Sequence, residues 1–395
     1  MFVQDLDALG GSERQAGLLA EALALAGERV VVITTCGEGP LGRPAGPWRA
    51  QEGRFEVWRL PLSGFESLAT FVAASGCDLI YAVGIMMGSF AQRIGAVLGL
   101  PVVVKLAGMG APGDISTLEG LPAAERERLR EELSETTLVC IGAAVEAEAR
   151  GAGFSRLVRI PNGVALAPAA PVRPAGSGPT LLYVGRLQHA KGADLLVEAM
   201  AEVSDATLLL AGEGPDRAQL EARVAELGLE ERVLFLGRRD DVAGLLRGAT
   251  AFVLPSRSEG LSNALLEALA SGAPVVASAI GPNREVLADS TDQSARDVAE
   301  GRSPWCEAAA GVLVSPEDSR ALAAGLRAVL AGASLRQRLS LAGPPHVTQR
   351  YGIASVAARY RQLFATLPPG ATSWRSIPRF ARARLATLRR VLARR

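Results

Sequence analysis

"AFVLPSRSEGLSNALLEALASGAPVVAS", residues 251–278, contains a complete folding unit. It opens with an apolar run, AFVLPS (251–256), and closes with another, PVVAS (274–278). Between them lie a loop carrying Glu259 and Gly260 and then a stretch dense in Ala and Leu. Strand, helix and strand in that order form the crossover that joins parallel strands. Ser262 or Asn263 suits the N-cap of the helix. Gly272, Ala273 and Pro274 suit its end. Glu259 precedes the helix, and Glu267 falls about one turn inside it. Both can face one ligand whose middle rests on the helix N-terminus, where free N–H groups favour an anion. Carboxylates accept hydrogen bonds, and the paired hydroxyls of a sugar supply them. In a purely structural role, Glu259 would be an exposed loop residue and Glu267 a solvent-facing helix residue.

The same alternation fills the chain. In the first half, strands are expected at 29–35, 55–60, 78–83, 101–107, 137–142 and 157–161. In the second they are expected at 180–185, 206–212, 232–237, 251–256, 274–278 and 311–314. Near-continuous apolar strands between helical stretches mean parallel sheets covered on both faces. The chain reads as a first domain over 1–165, a linker over 166–179 rich in Pro, Ala and Gly, and a second domain over 180–350. A helix over 351–370 crosses back, and 371–395 forms a basic tail. The fold class is α/β, two doubly wound domains with their ligand expected in the cleft between them.

Bulk properties bound the function. The chain has 395 residues, 49% hydrophobic and 21% charged, which suits a globular protein with two cores. The net charge of +1 conceals an asymmetry: 375–395 holds eight arginines and no acid, leaving 34 basic against 41 acidic residues elsewhere. Cys36, Cys77, Cys140 and Cys306 show no CxxC spacing, so neither a disulfide framework nor a zinc site is expected. No signal peptide and no membrane-spanning helix is expected, and the default location is the cytoplasm.

"LLYVGRLQHAKG" (181–192) is the second informative stretch. A buried strand ends at Gly185, Arg186 follows, and Lys191 comes five residues later. Both cations fall at the carboxyl end of a strand, beside the start of a helix. The chain has only two lysines, Lys105 and Lys191, so a lysine here points to a compact charge for a phosphate. Two solvated surface cations would be the structural alternative. A third stretch, "ALGGSERQAGLLAEALALAG" (8–27), places Gly10 and Gly11 ahead of a helix, where backbone can approach a ligand closely. "GMGAPG" (108–113) matches GxGxxG, but it lies outside the first βα unit and the following "GDISTLEG" opens no convincing helix, so a nicotinamide cofactor is not expected. The two histidines, His189 and His346, form neither a metal pair nor part of a triad, "DLD" (5–7) supports no metal, and no P-loop occurs.

In these motifs the chain resembles the retaining, nucleotide-sugar-dependent glycosyltransferases of family 4. The resemblance rests on "VGRLQHAKG", "LLAGEGPDRAQLE", "VLFLGRRDDVAGLL", "GVLVSPED" and the E-x7-E spacing of the opening stretch. It runs in order over roughly 180–365, and more loosely through "GGSERQAGLLAEALALAGERVVVITT", "PVVVKLAGMGAPGDI" and "RIPNGV". It implies the GT-B fold, two Rossmann-like domains facing a central cleft. It implies that Arg186 and Lys191 hold the donor diphosphate as leaving group and that Glu259 contacts the donor sugar. Gly185 and the backbone of Gly260, Leu261, Ser262 and Asn263 would line the same donor. Glu267 would take the ribose, Arg238 would lie near the base, and Gly10 and Gly11 would approach from the first domain. No metal or other cofactor is implied. Ala107 and Ala165 depart from the family pattern, which has His and commonly Asp there, and the first strand looks clipped to "MFV". An extra segment, 289–309, reads as a surface excursion.

The implied activity is transfer of a sugar from a nucleotide-diphosphate donor to a glycan or lipid-linked glycan, in bacterial polysaccharide or glycolipid assembly. A nucleotide-sugar epimerase and a non-catalytic nucleotide-sugar-binding protein are the alternatives. In the tail, Trp374, Ile377, Phe380, Leu385, Leu388 and Leu392 share one helical face and arginines the other. That pattern suits an anionic membrane surface, making the protein peripheral on the inner face of the cell membrane. Packing of the tail on the acidic body is the alternative, and no nucleic-acid partner is expected.

Overall fold

In the computed structural model, residues 1–3, 11–35, 48–60, 65–106, 108, 113–165, 169–172, 178–289 and 291–368 are described. They fall into two compact units. One is Met1–Gly163 joined by the chain from Ile353 onward, and the other is Val164–Gly352. Gly10, Ala107 and the tail 371–395 lie outside the described residues.

Among the described residues, the first unit holds eight strands: β1 (Phe2–Val3), β2 (Val31–Thr35), β3 (Trp48–Glu52), β4 (Phe55–Leu60), β5 (Ile80–Val83), β6 (Val102–Leu106), β7 (Thr137–Cys140) and β8 (Leu157–Arg159). Their order is β3-β4-β2-β1-β5-β6-β7-β8, all parallel except the β3–β4 hairpin. Ala16, Leu19, Ala20 and Leu23 on the helix Gly11–Leu25 recur at helical spacing and pack over Val32, Val57, Val83 and Val103. The helix Ile353–Ala365 completes that layer through Val356, Ala357 and Tyr360. Tyr360 meets Tyr81 of β5 edge-on, with the two hydroxyls 3.2 Å apart.

The second unit holds β9 (Thr180–Val184), β10 (Thr207–Ala211), β11 (Val233–Gly237), β12 (Ala251–Leu254), β13 (Val275–Ser278), β14 (Trp305–Ala308) and β15 (Gly311–Val314). Their order is β11-β10-β9-β12-β13-β15-β14. All pairs are parallel except β14–β15. The order reverses between β9 and β12, and such a switch point is where open α/β sheets bind ligands.

Two sequence expectations need correction. The segment 289–309 is more than a surface excursion. It forms the helix Gln293–Ala299, with Ala295 and Val298 buried, and then β14, which pairs antiparallel with β15 and covers that sheet edge. "GDISTLEG" does open a helix, Asp114–Glu119. Its start is secured by side chains: Gly113 N–H donates to Ser116 Oγ at 2.8 Å, and Thr117 Oγ1 donates to Gly113 O at 2.7 Å. Short polar side chains supply what the apolar pattern does not show.

Candidate functional site

β9 and β12 are parallel neighbours, so the segments that follow them leave the sheet at the same edge and side by side. The segment after β9 runs through Gly185 and Arg186 into a single 3₁₀ turn, His189–Lys191, and then Gly192 starts the helix Ala193–Met200. The segment after β12 runs from Pro255 to Ser262 and starts the helix Asn263–Ser271. Backbone bonds stitch the two together: the N–H groups of Arg257 and Ser258 both donate to Ala190 O, at 2.9 and 3.2 Å. Gly192 makes the approach possible. Its φ is 69°, and a Cβ there would lie 2.1 Å from Pro255 O.

That seam brings Lys191 onto Glu259. Lys191 Nζ donates to Glu259 Oε2 at 2.7 Å, and Ser256 Oγ donates to Glu259 Oε1 at 2.8 Å. The Glu259 side chain is 6% exposed and that of Lys191 26%. A buried carboxylate is costly unless paired and hydrogen-bonded, and here each oxygen has its own partner. The ammonium above remains reachable from solvent.

Arg186 is exposed, and its carbonyl accepts from Tyr183 OH at 2.8 Å. Burial, reinforced by the nearby Glu259 charge, pushes the Tyr183 phenol well above its ordinary value, so it remains a donor. Leu187 N–H donates to Glu213 O at 2.9 Å, which fixes the other side of the turn. Arg257 binds Asp194 through two bonds of 2.7 Å and also donates to His189 O at 2.8 Å. Burial works to raise the Asp194 carboxyl, but the Arg257 bonds and charge hold it below its ordinary value.

Ser262 is the N-cap: its Oγ accepts from Leu265 N at 3.3 Å. Leu261 and Ser262 are buried, Gly260 and Asn263 half-buried, and Glu267 stands half-buried on the second turn. Gly185 N–H is taken by Ala211 O at 3.1 Å. Arg238 is exposed just after β11, at the same sheet edge but two strands from β9. Gly11 starts its helix in the first unit. Arg186, Lys191, Glu259, Gly185 and the segment 260–263 are therefore gathered around one switch point, with Arg238 farther along the edge.

Sequence reasoning missed Tyr183, Asp194, Ser256, Arg257, Ser278 and Asn283. A signal existed for two of them. Ser256 and Ser278 each break an otherwise apolar run at its last position, at the edge where ligands bind. The other lysine, Lys105, lies on β6 beside Val83 and Val139 and is 4% exposed. Burial lowers its ammonium to about 8 against an opposing pull from Asp114. The Asp114 carboxylate accepts from Ile85 N at 2.7 Å and from Gly108 N at 3.2 Å.

Residues 170–344 match the glycosyl transferases group 1 family, and residues 10–163 match the glycosyl transferase 4-like domain. A lipopolysaccharide core biosynthesis glycosyltransferase of Rhizobium meliloti is 32% identical over 235 residues, 58% of this chain and 63% of that protein. A 2-deoxystreptamine glucosyltransferase of Streptomyces kanamyceticus is 32% identical over 222 residues, 50% of this chain and 57% of that protein. The chain thus spans roughly three fifths of the curated relatives it matches. Among solved structures, a sucrose-phosphate synthase from Thermosynechococcus elongatus superposes with a TM-score of 0.74 at 24% identity, covering 93% of this chain and 98% of that one. An Anabaena protein in complex with UDP and glucose superposes at 0.70 with 18% identity, with the same coverage. These likenesses show the GT-B fold.

Proposed function

This chain belongs to the group 1 glycosyltransferase family, and from that premise we propose that it transfers a sugar from a nucleotide-diphosphate donor to a glycan or lipid-linked glycan. Two of its relatives act, by name, in lipopolysaccharide core biosynthesis and on 2-deoxystreptamine, a polyhydroxylated aminocyclitol, and the first of these supports a glycan or lipid-linked glycan acceptor. The observation that carries the reading is the meeting of Lys191 and Glu259 at the switch point, with Arg186 on the same segment after β9.

The chemistry follows from those groups. The bond between the anomeric carbon and the donor's terminal phosphate oxygen breaks, and its electron pair goes to the diphosphate. Lys191 and Arg186 meet that growing charge, and preorganised cations do so with little reorganisation. The acceptor hydroxyl forms the new bond on the same face, and its proton goes to the departing phosphate oxygen. The anomeric configuration is retained. No metal is needed in this scheme, because the two cations and the amides at the helix start supply the positive field. Glu259 accepts from donor-sugar hydroxyls, Glu267 from the ribose, and Arg238 borders the base.

A donor panel of UDP-glucose, UDP-N-acetylglucosamine and GDP-mannose, read as release of nucleoside diphosphate with and without EDTA, tests the reading. Turnover that survives both Lys191→Ala and Glu259→Ala would reject the site. Inversion at the anomeric carbon of the product would reject the mechanism.

A further inference from the structure

Beneath Glu259 runs a column of buried polar side chains that donor binding does not itself require. The β12–β13 ladder ends at Leu254 opposite Ala277, and Pro255 has no N–H to extend it. A side chain supplies the next rung: Ser278 Oγ donates to Ser256 O at 2.5 Å. Asn283 Nδ2 donates to Ser278 O at 3.0 Å and to Ser278 Oγ at 3.3 Å. A hydroxyl has one proton. Since the Ser278 oxygen accepts from Asn283, its proton is directed to Ser256 O. Ser256 Oγ then donates to Glu259 Oε1.

Asn283 is 0% exposed, Ser256 1% and Ser278 2%. Apolar residues of similar size would fill this space with no polar group to satisfy. Moreover, Asn283 Oδ1 is buried with no hydrogen-bond partner among the described residues. A buried acceptor kept at that cost needs a reason beyond packing.

The two oxygens of Glu259 are held in different ways. Oε1 is fixed from the dry side by Ser256, and Oε2 by an ammonium that solvent can reach. We propose that Asn283, Ser278 and Ser256 are positioning residues that keep the Glu259 carboxylate aimed at the donor sugar when Lys191 turns from it to the donor phosphate. This inference rests on the nucleotide-sugar reading above. It separates two contributions: Lys191 serves diphosphate and leaving group, whereas the column serves only the sugar contact.

The test uses the full chain as wild type, Ser256→Ala, Ser278→Ala and Ser256→Thr. Affinity for UDP and GDP is measured by calorimetry, and kcat and KM are measured with whichever panel donor the wild type uses. Ser256→Ala is expected to lower kcat about tenfold, the scale of one hydrogen bond to a charged group, with nucleoside-diphosphate affinity within about twofold of wild type. Ser256→Thr, which keeps the hydroxyl, restores most of the rate, and Ser278→Ala loses severalfold. Should Ser256→Ala fail to fold, Ser278→Ala carries the same test. Unchanged kcat in both alanine variants overturns the proposal. So does a parallel fall in kcat and diphosphate affinity, which marks a merely structural role. A wild type that binds neither UDP nor GDP and turns over no donor rejects the nucleotide-sugar reading itself, and the proposal with it.

Discussion

Lys191 and Glu259, separated by 68 residues, meet at 2.7 Å across the seam between β9 and β12. The pair is asymmetric: the carboxylate is 6% exposed and the ammonium 26%. Lys191→Ala therefore removes the counterion of a buried carboxylate and, in the proposed reaction, the phosphate contact as well. Donor turnover is expected to fall at least about 100-fold, the scale of one lost charge-stabilising group. Lys191→Arg is expected to restore little, because a planar fork does not reproduce a compact ammonium on the same turn. Steady-state release of nucleoside diphosphate measures both.

Gly192→Ala tests the seam itself. The new Cβ meets Pro255 O, 2.1 Å away in the present backbone, at a φ of 69°. Left-handed strain and the clash together are expected to cost about 2 kcal/mol or more. A lower thermal midpoint for the second unit, accompanied by lost donor turnover, is the expected result. A midpoint equal to wild type would show that the two loops part easily.

Arg257 and Asp194 are joined by two bonds, but Asp194 is 44% exposed, so solvent screening limits their worth. A double-mutant cycle with Arg257→Ala and Asp194→Ala is expected to give a coupling of about 1 kcal/mol in urea unfolding. Arg257→Ala is expected to raise donor KM more than Asp194→Ala does, since Arg257 also holds His189 O on the Lys191 turn. Equal KM values would limit Arg257 to its ion pair.

Lys105 makes stability depend on alkaline pH. Burial depresses its folded-state value to about 8 from 10.5, so between those values the unfolded chain binds more protons. Stability then rises with pH across that window, and below about 8 the folded state carries the full desolvation cost. The shift corresponds to about 3 kcal/mol at most. Lys105→Met is expected to flatten the rise. Urea midpoints of the first unit between pH 7.5 and 10.5 check this, and parallel profiles for the two proteins would contradict it.

Deletion of 371–395 removes the arginine-rich stretch that follows Trp374. If those residues meet an anionic surface, the shortened protein shifts from the membrane to the soluble fraction and loses affinity for vesicles containing phosphatidylglycerol. An unchanged distribution would remove membrane contact from the reading.

The sequence by itself determined the two parallel sheets, because strands buried on both faces must be apolar throughout and their helices must be periodic. It also indicated Arg186, Lys191 and Glu259, since charged residues just past buried strands stand where ligands bind. It did not indicate β3 or β14. Trp48–Glu52 and Trp305–Ala308 are edge strands, and their mixed polarity resembles that of a loop. Only the tertiary structure decided that Lys191 and Glu259 touch, because that contact depends on strand order and on Gly192 lying against Pro255. The same holds for the column under Glu259. Ser256 and Ser278 each mark a strand end in the sequence, but nothing local ties them to each other or to Asn283, and their hydrogen bonds exist only once β12 and β13 are paired and Pro255 has ended the ladder.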